Sequence, residues 1–154
     1  MAETRSPAAV LQERFPFLAG HVTEARARRS FADVPAERFD EVLEAASAEL
    51  GFDRLVTIVG MDEKEHLAAM YVLAGPGGAV LSLRVRVPSG RPVLHSISHR
   101  FPGGTIYERE LVDLLGFEVT GLPPGRRYPL PDDWPQDQKP LRKDWKPTPG
   151  PRSP

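Results

Sequence analysis

Residues 66–88 read HLAAMYVLAGPGGAVLSLRVRVP, a stretch that indicates a β-hairpin. Two apolar runs, 66–74 and 79–88, flank the turn-forming GPGG at 75–78. Every second side chain of the later run is apolar, namely Leu81, Leu83, Val85 and Val87. This alternation is typical of a strand with one buried face, so we expect two antiparallel strands joined by a tight turn.

The neighbouring segments extend the hairpin into a sheet covered by helices. The run RLVTIVGMDE at 54–63 predicts a further strand, and its short connection to the hairpin requires antiparallel pairing. Apolar residues recur at helical spacing over 36–50, between Pro35 and Gly51. A second helix is predicted over 105–115. We therefore expect a two-layer α+β fold, in which a mainly antiparallel sheet of about three to five strands packs against both helices.

The helix at 105–115 has sequence signals at both ends. Thr105 is placed to cap the first turn, with Glu108 as its capping-box partner. Gly116 suits the left-handed residue that ends a helix. The apolar stripe between these signals consists of Tyr107, Leu111, Leu114 and Leu115.

Composition divides the chain into three parts. Residues 1–34 lack a sustained period, and we interpret them as an N-terminal arm or short helix. Residues 35–121 hold the predicted elements of the α+β core domain. Residues 122–154 contain 10 prolines among 33 positions, so we expect an extended proline-rich docking tail, disordered at 147–154. Trp134 favours docking of part of this tail, because solvated tails seldom carry large aromatic side chains.

Charge and composition exclude several classes of function. The 154 residues carry 20 Lys and Arg against 21 Asp and Glu, so the chain lacks the positive field that nucleic-acid binding needs. Cysteine is absent, which excludes disulfides, thiolate zinc sites and iron–sulfur clusters held by this chain. No run approaches the ~20 apolar residues of a membrane span, so we expect no direct membrane insertion. His95 and His99 have no third ligand nearby in sequence, and we expect no metal site.

Glu110 and Asp113 are candidates for acid–base chemistry, because two carboxylates three residues apart on a helix share a face. Counter-charges are close to them in sequence. Arg109 lies four residues before Asp113, and Arg126 and Arg127 follow in the next loop. Such counter-charges favour ionised, structural carboxylates. We therefore expect no catalytic residue, and a stand-alone soluble enzyme that uses Glu110 and Asp113 remains an alternative.

A longer pattern runs through the second predicted helix and the tail. It consists of E-R-E-x-x-D-x-x-G at 108–116, an arginine pair at 126–127 and PLRKDW at 140–145. Together with the strands RLVTIVGMDE and LRVRVP before it, this pattern resembles the 30 kDa subunit family of respiratory complex I, the NADH-quinone oxidoreductase. The resemblance extends over about residues 35–146.

The resemblance implies an accessory, non-catalytic subunit in the peripheral arm of a proton-translocating NADH-quinone oxidoreductase. It implies no cofactor on this chain, with FMN, iron–sulfur clusters and quinone on partner subunits. The implied partners are the quinone-pocket (49 kDa-type) subunit and the adjacent iron–sulfur subunit, on the cytoplasmic side of a bacterial membrane. Structural or interface roles are then expected for Glu108, Arg109, Glu110, Asp113, Gly116, Arg126, Arg127, Trp134, Arg142, Lys143 and Asp144.

Three positions depart from the usual pattern of this family, namely Leu115, Leu122 and Tyr128. Related subunits also occur in membrane-bound nickel–iron hydrogenases and formate hydrogenlyases, which use a different electron donor or acceptor. An equivalent subunit of such an enzyme is therefore the main alternative to a complex I subunit.

Overall fold

The structure, a computed structural model, describes residues 6–147 and is built around a mixed five-stranded sheet. The strands are β1 (Val22–Arg26), β2 (Arg29–Asp33), β3 (Arg54–Asp62), β4 (His66–Ala74) and β5 (Val80–Pro88). Their order across the sheet is β1-β2-β5-β4-β3. Only the β2–β5 pair is parallel, and the other three pairs of this sheet are antiparallel. The predicted hairpin is confirmed, with the turn at 75–78 joining β4 to β5.

The N-terminal part of the chain contributes more to the fold than the sequence indicates. Residues 1–34 were expected to form an arm or short helix, and a helix, α1 (Pro7–Arg14), is present. The strands β1 and β2, however, belong to the central sheet. The buried side chains of β2 are Ser30 and Ala32. Because both are small, the strand has no apolar alternation that would have identified it.

The helix predicted over 36–50 is confirmed as one continuous helical segment. It begins with a 3₁₀ turn (Ala36–Arg38), continues as α2 (Phe39–Glu44) and ends in a π turn (Ala45–Glu49). Gly51 follows with a φ of 74°, which places it in the left-handed region that glycine occupies without strain. Phe39 packs on Tyr71 of β4 with the ring centroids 4.5 Å apart, so this segment covers one face of the sheet.

The second predicted helix is α3 (Thr105–Leu115), and Gly116 ends it with a φ of 79°. The prediction for its start was wrong. A 3₁₀ turn (Pro102–Gly104) leads directly into the helix, and the Thr105 hydroxyl donates to the carbonyl of Pro102 instead of capping a helical N–H. No capping box forms, because the Glu108 carboxylate accepts hydrogen bonds from Ser96 and Ile97 instead.

Two short parallel strands, β6 (Val93–His95) and β7 (Glu118–Thr120), bracket α3. The helix packs against β3, where Gly60 permits close approach. A Cβ atom at this glycine would overlap the side chains of Leu111 and Leu115. The largest fully buried side chains of the core include Tyr71, Phe52, Leu11, Leu18, Leu43, Leu67, Leu73, Leu81, Leu83 and Ile97.

Residues 121–147 contain neither helix nor strand and return across the C-terminal end of α3. The tail contains several hydrogen-bonded turns, among them those that join Trp134 to Pro131 and Arg142 to Lys139. An extended conformation and docking of the tail on a partner stay predictions. The disorder expected at 147–154 concerns residues that, apart from Pro147, lie outside the described part of the chain. Within residues 6–147, no helix is both long and apolar enough to cross a membrane.

Candidate functional site

The residues of the E-R-E-x-x-D-x-x-G pattern lie on α3 and its C-terminal cap, and Glu108 is the most deeply buried of them. Its side chain is fully enclosed. Oε1 accepts a hydrogen bond from the backbone N–H of Ile97 at 2.7 Å, and Oε2 accepts one from the Ser96 hydroxyl at 2.8 Å. Burial raises the pKa of Glu108, against the opposing effect of these hydrogen bonds. The carboxylate therefore fastens the segment after β6 to α3, and the capping role predicted for it is wrong.

Arg109 holds the first part of the tail. Its Nη2 donates to the carbonyl of Pro123 at 2.6 Å, and its Nη1 donates to the carbonyl of Thr105 at 3.3 Å. The guanidinium also lies against the backbone of Gly125, where a Cβ atom would overlap it. Arg109 thus fixes the loop that follows β7, and it does not pair with Asp113 as the i, i+4 spacing suggested.

Asp113 and Arg127 form the central ion pair of the site. Oδ1 of Asp113 accepts from Nε and Nη2 of Arg127 at 3.0 and 2.7 Å, and Oδ2 accepts from the backbone N–H of Leu130 at 3.0 Å. The side chains are 5% and 18% exposed, so little water reaches the pair. Nη1 of Arg127 donates in turn to the carbonyl of Trp134 at 2.6 Å. The pairing of Asp113 with a tail arginine is confirmed, and it ties residues 127–134 to α3.

The last carbonyls of α3 are satisfied by the tail. Helix ends leave such groups without intrahelical partners. Here the Lys139 ammonium donates to Val112 at 3.1 Å, the Leu141 N–H to Leu114 at 3.0 Å, and Arg142 Nη1 to Leu115 at 3.4 Å. Burial lowers the pKa of Lys139, because desolvation disfavours the charged ammonium. The tail therefore acts as a cap made from a distant part of the chain.

PLRKDW docks on the end of β3 through Asp62. Oδ1 of Asp62 accepts from the backbone N–H of Lys64 at 2.7 Å, and Oδ2 accepts from that of Lys143 at 2.8 Å. Nε of Arg142 lies 3.3 Å from Oδ2. Burial acts to raise the pKa of Asp62, but the two N–H groups and the nearby cations outweigh it and hold the pKa below its usual value. Sequence reasoning missed Asp62, because its partner Lys143 follows 81 residues later in the chain.

Two tryptophans close the tail upon itself. The rings of Trp134 and Trp145 lie 6.3 Å apart. Their indole N–H groups donate to the backbone carbonyl and the side-chain oxygen of Gln138 at 3.0 and 2.7 Å respectively. Both rings are half-buried within this chain. Trp134 therefore has a structural role inside the protein.

The remaining predicted residues lie nearer the surface. Arg126 forms an exposed ion pair with Asp132 at 2.6 Å. The side chains of Lys143 and Asp144 are exposed, so only the backbone of Lys143 is engaged with β3. Glu110 is half-buried and lines a groove between α3 and β3.

The arrangement is suited to fastening segments together and not to acid–base chemistry. Both oxygens of Asp113 already accept hydrogen bonds from Arg127 and Leu130, so neither is free to meet a substrate. His95 forms a hydrogen bond with Asp40 at 3.2 Å, so it is engaged away from His99. Among residues 6–147, no group of three or more His, Asp or Glu side chains is placed to hold a metal ion.

The chain is similar to known proteins in both sequence and structure. Residues 32–150 match the family described as "Respiratory-chain NADH dehydrogenase, 30 Kd subunit". Formate hydrogenlyase subunit 5 of Escherichia coli (strain K12) is 40% identical over 95 residues, which cover 58% of this chain and 17% of that protein. An NADH-quinone oxidoreductase subunit of Moorella thermoacetica is 30% identical over 116 residues, which cover 73% of this chain and 77% of the relative. The solved trypsin-resistant fragment (1-134) of Nqo5 is similar with a TM-score of 0.62 at 29% identity, covering 75% of this chain and 99% of the fragment.

Proposed function

The chain belongs to the 30 kDa subunit family of the respiratory-chain NADH dehydrogenase, and we propose from this premise that it is an accessory, non-catalytic subunit of a proton-translocating NADH-quinone oxidoreductase. Its contribution is to hold neighbouring subunits of the peripheral arm together. Electron transfer from NADH to quinone is then an activity of the whole complex.

One observation carries this proposal: apart from Glu110, the charged side chains of the family pattern that are buried or half-buried are used for internal fastening. Glu108, Arg109 and Asp113 each bind backbone or side-chain partners within the chain. A reacting carboxylate needs access to a substrate, and neither Glu108 nor Asp113 has such access. These contacts instead stiffen α3 and the tail into one preorganised surface, and rigid surfaces lose little entropy on binding.

The redox groups belong to partners under this proposal. The chain has no cysteine with which to ligate an iron–sulfur cluster. FMN, the clusters and quinone would therefore be held by other subunits. The proposed neighbours are the quinone-pocket (49 kDa-type) subunit and the adjacent iron–sulfur subunit, which would keep this chain on the cytoplasmic side of the membrane.

The test is a pull-down of the tagged full-length chain from mild-detergent membranes of the native organism, with the bound subunits identified by mass spectrometry. Recovery of an NADH-binding flavoprotein together with the quinone-pocket subunit supports the proposal. An untagged strain provides the background control. Recovery of the chain free of redox subunits would refute it and would reopen the alternative of a stand-alone enzyme.

A second candidate is an equivalent subunit of a membrane-bound nickel–iron hydrogenase or formate hydrogenlyase. The observation that favours it is the 40% identity to formate hydrogenlyase subunit 5 over 95 residues, a higher value than the 30% to the Moorella thermoacetica protein over 116 residues. The same pull-down separates the two candidates. A nickel–iron large subunit among the recovered proteins, without an NADH-binding flavoprotein, would assign the chain to the second group.

A further inference from the structure

The strand β3 lies at one edge of the central sheet. A groove of about 260 Å³ is lined by residues of both β3 and α3. The floor and strand side of this groove are residues 57–60 of β3. The opposite side is formed by Leu111, Leu114 and Leu115 of α3, with Leu141 of the tail and Glu110 at the surface. Most residues that line the groove are thus apolar, and a strand bounds one side of it.

The outer backbone edge of this strand is open. Pairing with β4 uses one edge of β3, and within residues 6–147 no backbone group is bonded to the other edge from Thr57 to Met61. The nearest contact is at Val56, whose carbonyl accepts from the Tyr107 hydroxyl at 3.2 Å. An open edge of N–H and C=O groups is a template for another strand.

Apolar side chains are exposed around the same edge. Among the described residues, six large hydrophobic side chains are exposed, and four of them lie on β3, on α3 or in the tail. These four are Val56 (49%), Val59 (38%), Ile106 (45%) and Leu141 (55%). Two of these four, Val59 and Leu141, line the groove. Protected sheet edges usually carry charges or proline, and residues 55–61 have neither. Exposed apolar side chains at an unprotected edge are what a surface that binds another strand would require.

Among the described residues that line the groove, Glu110 alone has an ionisable side chain. Within the part of the chain that the structure describes, its carboxylate has no hydrogen bond or ion pair, unlike the carboxylates of Glu108 and Asp113. A half-buried carboxylate beside apolar walls is complementary to a lysine or arginine set among apolar residues.

We propose that this groove receives an extended segment of a partner subunit, which adds a strand to the free edge of β3. Apolar side chains of the segment pack on Leu114 and Leu141, and a lysine or arginine of the segment pairs with Glu110. This inference rests on the proposed function as a subunit. It commits to a single strand because the open edge of β3 can pair with one strand, while α3 already covers β3 at Gly60. The chain's own residues 148–154 are poor candidates, since three of these seven residues are prolines that lack the N–H needed for pairing.

The test places a photo-crosslinking amino acid at Val59 in the full-length chain, expressed in the native organism. A second version carries it at Phe31, which is 39% exposed on β2 and provides a control of matched exposure. We expect the Val59 probe to cross-link one segment of a partner subunit with a lysine or arginine beside apolar residues. We expect Glu110→Lys to reduce that cross-link about tenfold, whereas Glu118→Lys, a change at an exposed site on β7, leaves it unchanged. Reversing the charge of the cross-linked basic residue should restore the yield with Glu110→Lys.

Outcomes that overturn the inference are separate from those that overturn the proposed function. If the unmodified chain still recovers redox subunits but the Val59 probe gives no partner cross-link, no partner strand is added at the edge of β3, so the inference fails and the subunit function stands. Cross-links only between copies of this chain would also overturn the inference, in favour of an edge-to-edge dimer. If the unmodified chain recovers no redox subunits, the proposed function itself fails.

Discussion

Replacing Asp113 with asparagine tests whether the tail is fastened to α3 by a buried charge. The asparagine oxygen can still accept from Arg127, but its NH₂ group then faces the N–H of Leu130, and two donors cannot bond to each other. The change also leaves the Arg127 guanidinium without its counter-charge. Breaking a buried ion pair costs about 3–5 kcal/mol. Arg127 retains 18% exposure and some hydration, so we expect the lower end of this range, about 3 kcal/mol.

Urea unfolding of the purified full-length chain measures this loss. Far-ultraviolet circular dichroism reports the sheet and helices, and tryptophan fluorescence reports the tail, because both tryptophans lie in it. Asp144→Asn is the matched control, since Asp144 is exposed and its replacement should change the free energy of unfolding by no more than about 0.5 kcal/mol. If Asp113→Asn also stays within that margin and leaves the fluorescence unchanged, the ion pair does not fasten the tail and the reasoning fails.

Three further predictions concern single groups, each checked by urea unfolding. Burial raises the folded-state pKa of Glu108, so the contribution of this side chain to the free energy of unfolding is largest at low pH and declines as the pH rises above its ordinary pKa of 4.5. Wild type should therefore lose stability relative to Glu108→Gln as the pH rises through this range. A difference in stability between the two proteins that does not change with pH would contradict this prediction. The pKa of Asp62 is lowered in the folded chain, so its pH dependence is opposite to that of Glu108. The free energy of unfolding of wild type should exceed that of Asp62→Asn by less and less as the pH falls below about 3.8. A stability difference that persists in acid would contradict this prediction. Gly116→Val should cost about 1 kcal/mol or more, because valine is strained at a φ of 79°, whereas Gly116→Asn should cost less; equal losses would reject the conformational explanation.

Local sequence patterns predicted most of the central sheet and both main helices, because those elements have strong periodicity. The strand at 80–88 alternates apolar and polar side chains, and its apolar set is buried. By contrast, β2 buries only the small residues Ser30 and Ala32, which carry no period that a sequence can display. Sequence periodicity therefore identifies strands and helices that bury large apolar side chains, and it misses a strand that buries only small ones.

The sequence predicted the α3 residues of the site but not all of their partners. The residues on α3 were identified by spacing and resemblance, but their partners depend on how the tail returns. Glu108 bonds to the segment after β6, and Asp62 bonds to Lys143 across 81 positions. Such pairs depend on tertiary packing, which a local capping rule cannot include.

The long-range cap on α3 links the completion of protein synthesis to the stability of the folded chain. The helix leaves the ribosome before residues 127–143, which supply the counter-charge of Asp113 and the donors for the last helical carbonyls. A chain that stops at residue 121 would lack both the counter-charge of Asp113 and the donors to the last carbonyls of α3, so we expect it to be less stable than the full-length chain. The stability of α3 therefore depends on a segment that is synthesised after the helix itself.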